Sequence, residues 1–275
     1  MNLDIAHTSL GDAGQPCDTE ACQAVIRRSR NMLTFAGLTA LKLRGFPDLH
    51  HTANKSWPIQ ACVTRPGNRT KLKDVSFIYW TIPFQTTFHE IDYCPFRIVD
   101  PITASLQSLR FVNDIEAVVL FDHLLSRYAH SRATTRAELE RILYGTKRFK
   151  GKERGKWALN HAVEGTDSPM ESRLRIKLWK SRFPKAAVNF KIQHPATNET
   201  WFADLAYPKL KIAVEYQGTD FHISKDKLSK DSRKISALQG LGWNVIPLTS
   251  EYLLTEQGWQ RFSDTLRSVI ASRSK

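Results

Sequence analysis

The chain has 275 residues, 41% hydrophobic and 10% aromatic, enough for one large or two small packed domains; this excludes a disordered tail. Forty Lys and Arg against 27 Asp and Glu leave a net charge of +13, so a polyanion, either nucleic acid or an anionic membrane surface, is the partner this charge favours. The longest apolar stretches, such as 115–125, carry charges and fall short of the roughly 20 residues that span a bilayer, which excludes a transmembrane protein; residues 1–15 lack a signal-peptide pattern, and the expected location is cytoplasmic.

Residues 1–18, polar and acidic with Gly11, Gly14 and Pro16, read as a loose leader. From Thr19, the residues Ala24, Val25, Leu33, Phe35, Leu38 and Leu41 follow a broken helical period, one or two short helices ending at Gly45-Phe46-Pro47. Between Trp57 and Val99 the β-rich runs 59–63, 75–80 and 88–93, punctuated by prolines, predict a small antiparallel sheet. Asp100-Pro101 opens a helix, Asn113-Asp114 caps a second, and Thr134 or Thr135 starts a third. His50, His51, His89 and Asp92 are scattered among turn residues and read as structural. Cys17, Cys22, Cys62 and Cys94 lack paired zinc-site spacing and read as reduced, mostly buried thiols. Region 19–145 is thus an α+β segment assigned to recognition or interaction.

The stretch 141–156 holds Arg141, Lys147, Arg148, Lys150, Lys152, Arg154 and Lys156 against Glu153 alone. A solvated linker and a phosphate-contacting strip both account for such a run. It marks a domain boundary, with 146–165 a basic linker or helix and 166–275 a second domain.

In that domain Ser168-Pro169-Met170-Glu171 combines an N-cap serine, proline at the first helical position and a capping-box glutamate, predicting a helix over about 169–183. Strands follow at 187–194, 200–207 and 210–217, then a basic helix at about 225–241, a buried strand at 243–248 and an amphipathic helix at 256–272, giving the order αβββαβα. With Lys209 and Leu210 as the turn, Tyr207 faces Ile212 and Asp204 lies opposite Glu215. Opposed carboxylates repel unless a cation lies between them, and a hard divalent ion is the simplest remedy. Gln217 points to the same face, while Ala203 and Leu205 are expected to cover the other. Glu171 shares a helical stripe with Leu174, Arg175 and Leu178, which draws it toward these carboxylates as a third acidic ligand; its capping-box role accounts for it equally.

This order, with Asp-x(10)-Glu-x-Gln across two strands, resembles the restriction-endonuclease-like PD-(D/E)XK nucleases. More narrowly, Ser168-Pro-Met-Glu171-Ser-Arg-Leu-Arg175, Ala203-Asp-Leu-Ala-Tyr-Pro208, Val214-Glu-Tyr-Gln-Gly218 with His222, and Asp231-x-Arg233 with Leu238 and Gly242 resemble the actinobacterial domain of unknown function related to very-short-patch repair endonucleases. Residues 20–163 are similar to the AbiEi-type antitoxin-like region that often precedes that domain. The resemblance implies an α/β restriction-endonuclease-like core and a Mg²⁺- or Mn²⁺-dependent endonuclease acting on DNA. Asp204 and Glu215 would be metal ligands, Glu171 a further ligand, and His222 would lie near the scissile phosphate. Gln217 departs from the pattern, since it stands where the general family has a charge-stabilising lysine. Lys225, Lys227 or Arg233 are candidates to replace that charge, and with Arg175, Lys147, Arg148 and Lys150 they form the expected nucleic-acid-binding set. The alternative is a catalytically inactive DNA-binding or regulatory protein. A homodimer or a toxin/antitoxin-type protein partner is compatible with either; a plain protein-interaction role is a third reading.

Overall fold

The computed structural model describes residues 19–49, 58–91, 93–126, 133–195, 197–218 and 225–274, with backbone alone for 91 and 225–230. The chain divides into two compact units, 1–125 with 132–160, and 126–131 with 161–275. The predicted leader, His50, His51, Asp92, Cys17 and His222 lie outside the described residues. No described helix is long and apolar enough to cross a membrane.

The first unit contains α1 (Thr19–Arg28), β1 (Leu33–Phe35), α2 (Gly37–Leu43), β2 (Ile59–Val63), β3 (Val75–Tyr79), β4 (Thr86–Ile91), β5 (Cys94–Val99), α3 (Pro101–Ser108), α4 (Asp114–Leu124), α5 (Arg136–Gly145) and α6 (Lys152–His161). Its five strands lie in the order β3-β2-β1-β5-β4. The sheet is mixed and not the antiparallel one expected, because β1 pairs parallel with β5 and β2 parallel with β3. Leu33 and Phe35, which fit a helical stripe, instead form the central strand. Phe35 stands two residues from Leu33, the strand period, and three from Leu38, the helical one, and pairing with β2 and β5 on both sides decides for the strand. Asp100, Asn113 and Thr135 cap α3, α4 and α5 through their side chains, each accepting the N–H three residues on. Cys22 and Cys62 are buried free thiols, and burial pushes the Cys62 thiol up to about 11.

The second unit contains α7 (Pro169–Lys180), β6 (Ala187–Gln193), β7 (Thr200–Tyr207), β8 (Ile212–Gln217), α8 (Lys225–Gly240), β9 (Asn244–Thr249), α9 (Ser250–Leu254) and α10 (Glu256–Arg273). The predicted order is present with one added short helix, α9. The sheet runs β6-β7-β8-β9, antiparallel except for the parallel β8–β9 pair joined through α8. Leu174, Leu178, Leu205, Val214, Leu248 and Phe262 form the core on one face, beneath α7 and α10. Ile192, Ala203, Ala206, Ala213, Leu238 and Trp243 form a thinner core on the other, beneath α8. The α/β description holds at this level: one mixed sheet covered by helices on both faces.

Gly37 opens α2 with φ of +53°, and a Cβ there would lie 2.1 Å from Gln60 Oε1. That oxygen accepts the Leu38 N–H at 2.7 Å, while Gln107 Oε1 accepts the Gly37 N–H at 3.0 Å, so the glutamine cannot withdraw without orphaning buried donors. Gly37→Ala is therefore expected to destabilise the first unit by about 2–4 kcal/mol. Urea unfolding checks this, and an unchanged midpoint would mean that the α2 entry relaxes freely.

Candidate functional site: a carboxylate cluster at a break in the sheet

The β7–β8 ladder pairs Tyr207 with Ile212, Ala206 with Ala213 and Leu205 with Val214, the register read from the sequence. The turn is a single 3₁₀ segment, Pro208–Leu210, closed by Lys211 in the left-handed region at φ +48°. Register pairing stops at Leu205–Val214, one residue before Asp204 and Glu215. On its other side β7 pairs with β6 at Val188–Leu205 and Phe190–Ala203, and skips Asn189, which has φ of +48°. Asp204 thus sits where both ladders are interrupted. Its carboxylate accepts the Tyr216 N–H at 2.7 Å through Oδ2, in place of a backbone carbonyl.

The same irregularity corrects the expected alternation. Ala203 and Leu205 do not cover one face: Ala203 packs with Ala206 and Trp243, and Leu205 with Leu174 and Val214. The local twist at Asp204 turns the strand, so its carboxylate lies in the opening between β7 and β8 and can feel groups from both faces of the sheet.

Glu171 enters from α7 and is buried, with 6% of its surface exposed. Its N–H donates to Ser168 Oγ at 3.2 Å, and Oε2 accepts the Asp167 N–H at 2.9 Å. The capping box is therefore formed, with the return bond one residue earlier than the usual N-cap donor. The other carboxyl partner lies on β8. Glu215 is 8% exposed; its Oε2 accepts from Lys234 Nζ on α8 at 2.5 Å, and its Oε1 is buried without a hydrogen-bond partner among the described residues.

The electrostatics follow from three acids in a poorly hydrated place. Burial first, and then the Asp204 charge, push Glu171 up to about 7 and Glu215 up to about 7. Burial also raises Asp204, against the lowering effects of the Tyr216 N–H and Lys234. Asp167 and Asp231 add negative charge nearby. Among the described residues no three acid, imidazole or thiol groups already stand as a closed metal-ligand set. What the cluster offers a hard cation is the Asp204 and Glu215 oxygens, with the unpartnered Glu215 Oε1 the first available.

The remaining predicted residues fall in different places. Gln217 is exposed at the end of β8, beside Thr249 in the register. Arg175 donates to the His161 carbonyl at 2.6 Å, and Arg233 is exposed and ion-paired with Glu199 at 2.5 Å. The side chains of Lys225 and Lys227 lie outside the described residues. Lys147, Arg148 and Lys150 are exposed between α5 and α6. His89 hydrogen-bonds Thr87 at 2.8 Å and stacks on Phe96, as a structural histidine would.

Sequence reasoning named Lys225, Lys227 and Arg233 and missed Lys234 as the cation at the carboxylates. The signal was available in helical phase: Lys234 lies four residues before the buried Leu238, on the sheet-facing stripe, whereas Arg233 is rotated toward solvent.

No family model matches the chain, and no solved structure matches it. Two uncharacterized proteins of Mycobacterium tuberculosis, from strains CDC 1551 and H37Rv, are each 26% identical over 128 residues, 46% of this chain and 47% of theirs. The chain thus spans about half the length of the curated relatives it matches.

The raised carboxyls carry a stability signature. Glu171 and Glu215 bind protons more tightly folded, near 7, than in the unfolded chain at about 4.5, so in chelator stability falls as pH rises through that window. Asp204→Asn keeps an acceptor for the Tyr216 N–H but removes the charge that pushes both neighbours up. It is expected to raise the melting temperature by several degrees at pH 7.5 in EDTA, with little gain at pH 5. Equal shifts at both values would refute the electrostatic account.

Proposed function

We propose that the second unit is a metal-dependent DNA endonuclease of the very-short-patch repair-like type, hydrolysing phosphodiesters on a restriction-endonuclease-like core. The observation that carries this reading is Asp204 and Glu215 gathered at a gap in the sheet, with one buried carboxylate oxygen unpartnered and Lys234 held against the other. Asp204 and Glu215 would hold Mg²⁺ or Mn²⁺, and Glu171 stands behind them as a further acid. When bound, such an ion polarises a phosphoryl oxygen and lowers the pKa of an attached water.

The other contributions come from the chain. Lys234 supplies the positive charge that Gln217 cannot, delivered from α8 across the sheet opening. Its ammonium is paired with Glu215, so it is held where a phosphate oxygen beside that carboxylate would receive a second donor. The Tyr216 N–H fixes the Asp204 carboxylate, and the Asp167 N–H with the Ser168 cap fixes Glu171 in the first turn of α7. These bonds leave the acids little rotamer freedom to lose on binding.

The inactive, regulatory reading has one observation in its favour. Lys234 already neutralises Glu215, and Gln217 is turned to solvent, an arrangement suited to a binding protein that needs no ion. Metal dependence separates the two. The full chain is incubated with supercoiled, linear and single-stranded DNA in Mg²⁺, Mn²⁺ or EDTA, beside Asp204→Ala and Lys234→Ala proteins purified identically. The nuclease reading expects metal-dependent cutting, lowered at least about 10³-fold in Asp204→Ala and about 10²-fold in Lys234→Ala. Cutting unchanged in Asp204→Ala, or no cutting with any metal, overturns it; DNA binding that persists without cutting supports the regulatory one.

A further inference from the structure

The basic segment between α5 and α6 folds in the first unit into one wall of an open cavity of about 780 Å³. Arg110, Arg148, Lys150, Lys152 and Arg154 line it with Phe149, Gly151 and Glu153. Glu153, the single acid in that lining, is paired with Lys156 at 2.9 Å. Two cations are tied down: Lys152 Nζ donates to the Thr146 carbonyl at 2.7 Å, and Arg154 donates to Asp114 and the Leu109 carbonyl at 2.9 and 2.6 Å. Arg110 lies over the Phe111 ring. Arg148 and Lys150 are exposed and make no side-chain hydrogen bond or ion pair among the described residues.

The turn carrying these two is anchored on both sides of Lys150. Phe149 meets the buried Trp80 edge-on, with ring centroids 5.3 Å apart. Gly151, at φ +94°, lies so close to the end of α3 that a Cβ would come within 2.8 Å of the Leu109 backbone. Arg148 and Lys150 are thereby held at the N-terminal end of α6, where the helix dipole adds to the positive potential. A solvated linker would have neither anchor, and here the two anchors hold Arg148 and Lys150 two residues apart on the cavity lining.

The geometry points to a site for the sugar-phosphate backbone of nucleic acid in the first unit, with Arg148 and Lys150 as the phosphate-contacting residues and the fixed Lys152, Arg154 and Arg110 supplying the surrounding positive field. This inference rests on the nucleic-acid part of the proposed function and not on hydrolysis.

The test measures binding of the full chain to a mixed-sequence DNA duplex by fluorescence anisotropy in EDTA, across a range of NaCl concentrations. The variants are Arg148→Ala/Lys150→Ala and, as a charge-matched control, Lys71→Ala/Lys73→Ala, exposed residues of the same unit outside this lining. Loss of two backbone contacts is expected to weaken binding at least tenfold at low salt and to reduce the log–log salt slope by about 1.8, with little change in the control. Equal behaviour of the two variants means bulk charge alone and overturns the site, as does an affinity the pocket variant leaves unchanged or a parent chain that does not bind DNA. The cleavage assay is scored separately, so an intact pocket effect with no cutting would reject the nuclease and leave the site standing.

Discussion

Organisation of the carboxylate site depends on one substitution of hydrogen-bond partners: the Asp204 carboxylate, and not a strand carbonyl, accepts the Tyr216 N–H. A regular ladder would continue past Leu205–Val214 and press Asp204 against Glu215 at about 4.5–5.5 Å between Cβ atoms, a repulsive arrangement. Ending the pairing there, with Asn189 in the left-handed region on the opposite side, opens the sheet without leaving the Tyr216 donor unsatisfied. The opening lets α7 deliver Glu171 from one face and α8 deliver Lys234 from the other.

Burial sets the chemistry of what is delivered. A carboxylate on a solvated face would keep its ordinary acidity, but Glu171 and Glu215 are both buried. The resulting rise toward neutrality means that near pH 7 each acid is poised between neutral and charged forms. Lys234 relieves Glu215 in part, while among the described residues the buried Glu215 Oε1 still lacks a donor. A cluster in this condition gains by taking up a cation or protons.

The first unit applies a different physical device to charge. Carboxylates pair only part of its basic segment, Arg154 with Asp114 and Lys156 with Glu153; backbone carbonyls at Thr146 and Leu109 also hold Lys152 and Arg154, and glycine at 151 allows the turn to lie against α3. Gly155 does the same one turn later, where a Cβ would meet Leu109 and Leu143 at 2.8 and 3.0 Å. Close packing on small residues thus converts a run that reads as a flexible connector into part of a folded wall.

Local chemistry was legible wherever it acts over a few residues. The caps at Asp100, Asn113 and Ser168, the helix α7, the four strands of the second unit and the Tyr207–Ile212 register all follow from spacing and turn residues alone, while the structure chooses Thr135 over Thr134 as the cap of α5. The expected direct opposition of Asp204 and Glu215 is not formed, because the ladder ends one pair short of it. The sequence could not show that β1 is a central strand, since Phe35 is two residues from Leu33 and three from Leu38, and only pairing with β2 and β5 chooses between the two periods. Nor could it show the twist at Asp204, which separates Ala203 from Leu205, or the arrival of Lys234 at Glu215 from a helix nineteen residues on. By itself the sequence determined the caps, most of the elements and the β7–β8 register, because those depend on near neighbours. Tertiary structure decided which charges meet and how deeply they are buried, because those depend on how helices close over both faces of the sheet.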